Sequence, residues 1–325
     1  MTALSATTLA AASPVVTVLA LCYNHARFLQ DCLDSIAAQT TQDFQLIIAD
    51  DCSKDESANM IEAWLTEHRP EAVFIRHTCN VGLCKTLNEA LSHVKAEFIC
   101  MIATDDVWEP NKIERQLALM RQQSTAVAVV YSDASRMDEA GVRLEPDFIQ
   151  AHTPDCTRPS GNIFAELANR NFIPAMSTLI RYQALLEVGR YDERLSYEDY
   201  DMWLRLAARY DFVYCPGLLA RYRIVGTSVV RTLFVNPSAQ HFYTLYLICQ
   251  KWLPSGRLNA RQRDAWIERL WTSAYGLYVL GDGRARACLW QAAWLSRRPR
   301  AFALAVTCSL GISRQMAKRL SRSAE

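Results

Sequence analysis

No apolar run in this chain of 325 residues reaches the roughly 18–20 residues that a membrane-spanning helix needs; the best candidate, 301–312, is short and sits between basic clusters. The first thirteen residues lack a basic segment followed by a long apolar stretch, so a secretory signal is not expected and 1–13 reads as a disordered lead-in. Eleven cysteines are an odd number and none forms a C-x-x-C pair, which excludes a secreted disulfide framework and a structural zinc site and points to reduced thiols in the cytoplasm. Glycine is sparse where phosphate loops need it. The turn after the first apolar run has no G-x-G-x-x-G, and no Walker lysine loop is present, so a dinucleotide resting on the first helix is not expected. His25, His68, His77, His93, His152 and His241 show neither i, i+4 pairing nor H-E-x-x-H spacing, and no G-x-S-x-G elbow exists; no histidine is assigned a metal or a triad.

What is present suits a globular chain with one large catalytic domain and an appendage: 50% of residues are hydrophobic and 21% charged. The net charge of +1 hides an asymmetry. Of 35 basic and 34 acidic side chains, nine and one respectively lie from Arg284 onward, leaving an acidic body and a basic tail. Such a tail suits lipid headgroups better than nucleic acid.

From 14 to 131, the apolar runs VVTVLAL, QLIIAD, AVFIRH, EFICMIA and AVAVVYS alternate with amphipathic stretches over 28–39, 56–68, 82–94 and 110–122. Strands joined by helical crossovers make a parallel sheet with helices on both faces, so the class is α/β and doubly wound. Ser53 and Glu56 have capping-box spacing before the second helix, and Pro110 is placed for the first turn of the fourth. The stretch 133–162 reads as a loop excursion over the sheet edge. A helix over 199–210 and two short strands, FVYC and LLARYRI, follow, and beyond Asn236 the pattern is helical.

Ligands of open parallel sheets sit beyond the carboxyl ends of the strands. Those positions hold Cys22-Tyr23-Asn24, Asp50-Asp51 and Thr104-Asp105-Asp106. Without a glycine loop a pyrophosphate needs a cation, and Asp105 and Asp106 are placed to hold Mn²⁺ or Mg²⁺ together with phosphate oxygens. An adjacent Asp pair also serves as a turn cap. Tyr23 suits stacking on a base, Asp51 suits accepting a base imino or ribose hydrogen, and Lys85 suits offsetting diphosphate charge; each equally fits an ordinary structural place. A second acidic group, Glu198-Asp199-Tyr200-Asp201, opens the helix MWLRLAARY, whose macrodipole is expected to keep the carboxylates ionised for proton acceptance. Trp203 beside them suits stacking on a sugar ring, or a place in the core.

The text VTVLALCYNHARFLQDCLDSIAAQTTQDFQLIIADDCSKDES, then NVGLCKTLNEAL, AEFICMIATDDVWEPNKIERQ, VGRYDERLSYEDYDMWLRLA and YRIVGTSVV, in that order, resembles family 2 glycosyltransferases of the GT-A fold. The resemblance covers roughly 14–230 and implies a Rossmann-like, mostly parallel central sheet. It implies that Cys22, Tyr23, Asn24, Asp51, Lys85 and Asp105 line the nucleotide, that Asp106 with Asp105 meets the metal, and that Asp199, with Glu198 beside it, is the base of an inverting displacement. Trp203 would face the acceptor. The family pattern D-x-D departs here to T-D-D, and Cys22 stands where small hydroxylated residues are frequent.

The expected activity is transfer of a sugar from a nucleoside-diphosphate donor, a UDP-sugar above all, to a glycan or lipid-linked acceptor in cell-surface polysaccharide synthesis. Two rivals are a non-catalytic nucleotide-sugar-binding or scaffold protein and a sugar nucleotidyltransferase, which wants the glycine loop that CYNHAR lacks. The expected domains are 14–233, catalytic, and 234–325, a helical extension. Its mixture of apolar and basic residues is expected to contact the inner membrane surface peripherally, or to pack on the catalytic domain.

Overall fold

The computed structural model describes residues 14–226 and 237–311; the lead-in 1–13, the expected boundary near 233, the end of YRIVGTSVV and the last basic residues lie outside that range. Nine strands form a single sheet among the described residues: β1 (Val16–Cys22), β2 (Phe44–Asp50), β3 (Val73–Arg76), β4 (Phe98–Ala103), β5 (Val107–Trp108), β6 (Val127–Met137), β7 (Arg143–Leu144), β8 (Thr178–Arg181) and β9 (Asp211–Arg223). Their order is β3-β2-β1-β4-β8-β6-β9-β5, with β7 paired to β6. The first half obeys the βαβ rhythm: β3, β2, β1 and β4 are parallel, linked by α1 (Ala26–Ala37), α2 (Ser57–His68) and α3 (Leu83–Leu91). All seven residues of β1 are buried, as a strand covered on both faces requires.

The second half is mixed rather than simply doubly wound. After α4 (Lys112–Arg121) the chain does not place β6 beside β4; β8 enters between them, antiparallel to both. β6 also runs on to Met137, so the expected loop from 133 begins as strand. Asp133 pins the excursion: its buried carboxylate accepts the amides of Ala134 and Ile149 and pairs with Arg158 Nη2 at 2.7 Å. The two short strands expected near 212–224 are one strand, β9, parallel to β6 and interrupted by register shifts. Pro216 and Gly217 form the interruption. Gly217 has φ +108°, and a Cβ there would meet Arg115 Nη1 at 3.1 Å, while Arg115 Nη2 donates to Pro216 O at 2.6 Å.

Two local expectations are corrected. The Ser53–Glu56 capping box does not form; Asp55 accepts the Ser57 amide at 3.0 Å, and Ser53 turns back onto Asp50. Pro110 lies before α4, which begins at Lys112, and its carbonyl accepts the Thr40 amide at 2.8 Å.

One core lies on the α1, α2 and α4 face of the sheet. The other holds α3, α6 (Phe164–Asn169) and α8 (Asp199–Ala207), and it extends into the C-terminal helices α9 (Ala239–Trp252), α10 (Ala260–Val279), α11 (Ala285–Ser296) and α12 (Pro299–Ser309). Short helices α5 (Phe148–His152) and α7 (Tyr182–Glu187) complete the set of described helices. α9 and α10 are cemented to the catalytic half. Trp266 Nε1 donates to Ala168 O at 2.7 Å, Gln262 Nε2 to Ala165 O at 2.8 Å, and Thr244 Oγ1 accepts the Ser196 amide at 2.9 Å. These two helices therefore pack on the catalytic half, one of the two places expected for the tail.

Candidate active site

The carboxyl ends of β1, β2 and β4 are knitted into one edge. The Asp51 amide donates to Cys22 O at 3.0 Å and the Thr104 amide to Leu21 O at 2.9 Å, so residues after all three strands emerge side by side. Tyr23 stands at this edge with 45% of its surface exposed, as a stacking platform must. Asn24 adopts φ +58°, a conformation asparagine tolerates, and locks the first two exits together: its Oδ1 accepts the Lys54 amide at 2.6 Å and its own amide donates to Ser53 Oγ at 2.8 Å. Cys22 is buried, and desolvation pushes its thiol up to about 11, leaving a neutral group at the strand exit.

Asp51 is also buried, and it is held from several sides. His77 Nδ1 donates to Oδ1 at 2.9 Å, the Val81 amide to the same oxygen at 2.8 Å and the Gly82 amide to Oδ2 at 2.9 Å. The other ring nitrogen of His77 lies 3.1 Å from Glu89 Oε2. Both ring nitrogens face carboxylate oxygens, an arrangement that favours the charged imidazolium, in which both donate. Burial works against that charge, but the two carboxylates outweigh it and raise the pKa above the ordinary histidine value. Lys85 is exposed on the first turn of α3, beyond this clamp.

The acids after β4 divide their work. Asp106 is 3% exposed and its Oδ1 accepts the Arg223 amide at 2.9 Å; burial, then the charge of Asp105, raises its pKa well above the carboxylate range. Asp105 keeps a partly open side chain, with its Oδ2 3.7 Å from His25 Nε2. His25 Nδ1 lies 3.0 Å from Thr104 Oγ1. Arg223, itself buried, donates through Nε to Asp105 O at 2.8 Å and through Nη2 to Asp31 Oδ2 at 2.9 Å. Adjacent hard carboxylate oxygens fit a divalent cation, with Asp105 as the more accessible of the two. No cluster of three or more metal-ligating side chains occurs among the described residues, so such an ion would draw its remaining ligands from phosphate and water.

The second acidic group reaches the same edge through the segment before β8. Met176 O accepts the Trp108 indole N–H at 2.8 Å, which holds this segment against the exit of β4. Upstream in it, Asn171 Nδ2 donates to Asp199 Oδ2 at 2.8 Å, and the Tyr200 amide donates to Oδ1 at 2.6 Å. Desolvation works against the ionised state that the α8 macrodipole favours: it and then the Asp199 charge push Glu198 up to about 8, and burial also raises Asp199, opposed by the Asn171 hydrogen bond. Asp201 belongs to the scaffold: its buried carboxylate takes Arg205 Nε at 2.9 Å and Lys251 Nζ of α9 at 2.6 Å. Trp203 is wholly buried in the core, so its ring is not open to a sugar.

Sequence reasoning passed over His25, His77, Asn171 and Arg223. His25 carried a signal in its place directly after Tyr23-Asn24 at a strand exit. The others act through partners up to 192 positions away, which no local pattern displays.

An exposed aromatic, Tyr23, and the adjacent acids Asp105 and Asp106 stand at the carboxyl edge of this mixed sheet. Residues 17–184 match Glycosyl transferase family 2, and the chain belongs to that family. An uncharacterised glycosyltransferase of Rickettsia prowazekii is 25% identical over 228 residues, covering 68% of this chain and 67% of its own. Other rickettsial relatives are longer, and this chain spans 27–31% of three of them. TuaG of Bacillus subtilis, a glycosyltransferase assigned to teichuronic acid biosynthesis, is 25% identical over 218 residues, covering 66% of this chain and 81% of its own. The crystal structure of S. aureus TarS 1-349 in complex with UDP-GlcNAc superposes with a TM-score of 0.62 at 16% identity, over 89% of this chain and 83% of that one, and shares its fold. The chain is thus a glycosyltransferase with a GT-A-type sheet and a helical C-terminal region.

Proposed function

We propose that the chain is an inverting glycosyltransferase that moves a sugar from a nucleoside-diphosphate donor, a UDP-sugar first, to a hydroxyl of a glycan or lipid-linked acceptor. Two acid pairs carry this: Asp105-Asp106 after β4, and Glu198-Asp199, whose Asp199 accepts from Asn171 in the segment that leads to β8, a segment bonded to Trp108 through Met176 O. Residues 14–233 would be the catalytic domain and 234–325 its helical extension. Tyr23 would stack on the base and Asp51, fixed by its clamp, would use its remaining lone pair on the base or ribose. Lys85 would lie toward the diphosphate. Asp105, backed by Asp106, would hold Mn²⁺ or Mg²⁺, which when bound stabilises negative charge on the departing diphosphate.

Asp199 would take the acceptor proton as the hydroxyl attacks the anomeric carbon opposite the diphosphate. A raised pKa makes it a stronger base once ionised, and Asn171 fixes its oxygen. The UDP-GlcNAc in TarS and the assignment of TuaG to a cell-surface polymer support a UDP-sugar and a polysaccharide acceptor. A lipid-linked acceptor would place the enzyme peripherally on the inner membrane face.

Release of UDP from a panel of UDP-sugars with Mn²⁺ tests the reading. Asp199→Asn should lower turnover by about 10²–10⁴-fold while UDP still binds. Binding without release in the native chain would favour a nucleotide-sugar-binding protein, and pyrophosphate in place of UDP a nucleotidyltransferase.

A further inference from the structure

The C-terminal helices divide into an inner pair committed to the core and an outer hairpin that is not. In α12, Ala301 and Ala305 are buried against α11, and Trp290 of α11 fastens the hairpin through Nε1 to Ser309 Oγ at 3.0 Å. The flank of α12 next to that buried side is apolar and open. Val306 is 45% exposed and Leu310 71%, and they continue at four-residue spacing from Phe302. Trp294 of α11, 69% exposed, meets the Phe302 ring edge-on at 5.4 Å, so the aromatic end and the aliphatic end make one surface. An indole that open to water is unusual for a residue this large.

Cations frame this surface at both ends. Arg297, Arg298 and Arg300 are exposed at the α11–α12 turn, beside Trp294. Arg286, also exposed, acts electrostatically on Cys308 near the other end. The described part of the hairpin contains no acidic residue from Arg284 onward; it contacts Asp282, paired with Arg284, and Glu268 of α10, paired with Arg298. Arginines around a Trp–Phe–Val–Leu face are complementary to a bilayer surface, where the apolar groups enter the acyl boundary and the guanidinium groups meet headgroup phosphates.

We propose that the α11–α12 hairpin is a docking surface for an anionic lipid bilayer, with Trp294, Phe302, Val306 and Leu310 as the inserting face and Arg286, Arg297 and Arg300 as its electrostatic contacts. The inference deepens the reading of a lipid-linked acceptor and rests on that reading only for its purpose. Insertion of this face brings the catalytic half to the membrane through α9 and α10, which are fixed to both.

Flotation of the full chain with vesicles of phosphatidylcholine, alone or mixed with phosphatidylglycerol, tests it. The native protein should float with the anionic vesicles, less with the neutral ones, and progressively less as salt is added. Arg297→Gln with Arg300→Gln should weaken anionic binding roughly thirtyfold, at about fivefold per basic side chain. Trp294→Ser with Leu310→Ser should weaken binding to both vesicle types. UDP release from donor alone should persist in each variant, which separates failure of docking from failure of the transferase reading. Equal flotation of native and variant chains, or no flotation of the native chain, overturns the proposal. So does loss of self-association, seen by light scattering, in place of any change in vesicle binding.

Discussion

Replacing His77 by Gln tests whether the charged clamp on Asp51 matters as the geometry says. The imidazolium bridges Asp51 Oδ1 at 2.9 Å and Glu89 Oε2 at 3.1 Å, with the His77 side chain 10% exposed, Asp51 8% and Glu89 46%. The Asp51 contact is a buried, charge-assisted hydrogen bond and contributes about 1.5–3 kcal/mol. The Glu89 contact is half open to water and adds at most about 1 kcal/mol. Because the folded pKa of His77 is raised, this stabilisation is fully present below the unfolded histidine value near 6.5 and is lost as pH rises through the folded value. Native and His77→Gln chains should therefore differ by about 2–3 kcal/mol in chemical denaturation at pH 6, and the gap should narrow in alkaline buffer. UDP titrated by calorimetry should bind the variant more weakly, by at most about 100-fold, since the Val81 and Gly82 amides still hold Asp51. A stability gap that stays constant with pH would refute the charge assignment, and unchanged UDP affinity at pH 6 would remove Asp51 from the nucleotide site.

Other consequences are equally direct. Turnover should fall on acidification with an apparent pKa above the ordinary carboxylate range near 4, because burial raises both Glu198 and Asp199 and the base must be ionised; a kcat–pH profile checks it. Asp201→Ala should cost about 3–5 kcal/mol in denaturant unfolding, since it strands Arg205 and Lys251 and loosens α9 from α8. Trp203→Ala should lower stability by about 3–5 kcal/mol, whereas Trp203→Phe should leave the acceptor KM unmoved, as expected of a core ring rather than a sugar platform. Gly217→Ala should cost about 1–3 kcal/mol, because φ +108° suits no side chain and Arg115 stands 3.1 Å from the new Cβ.

The first half of the fold was legible because β1, β2 and β4 are covered on both faces and so appear as nearly uninterrupted apolar runs between amphipathic helices. The insertion of β8 between β4 and β6 was not, since its four residues pair with segments about fifty to eighty positions away. The acids at the strand exits were visible as acids. Their division of labour was not: Asp106, Asp201 and Cys22 differ from Asp105, Asp199 and Tyr23 in burial and partners, and those depend on β9, α9 and α2 arriving from elsewhere in the chain.

The sequence by itself determined the family, the strand–helix alternation of residues 14–131 and the positions where chemistry-bearing side chains leave the sheet, because those are local properties of spacing and hydrophobicity. Tertiary structure alone decided which carboxylates keep water and which lose it, that His77 carries a charge, and that α9 and α10 complete the core while α11 and α12 leave a basic, apolar face in solvent. Desolvation and ion pairing are set by what packs around a group, and that is information the order of residues holds only once the chain has folded.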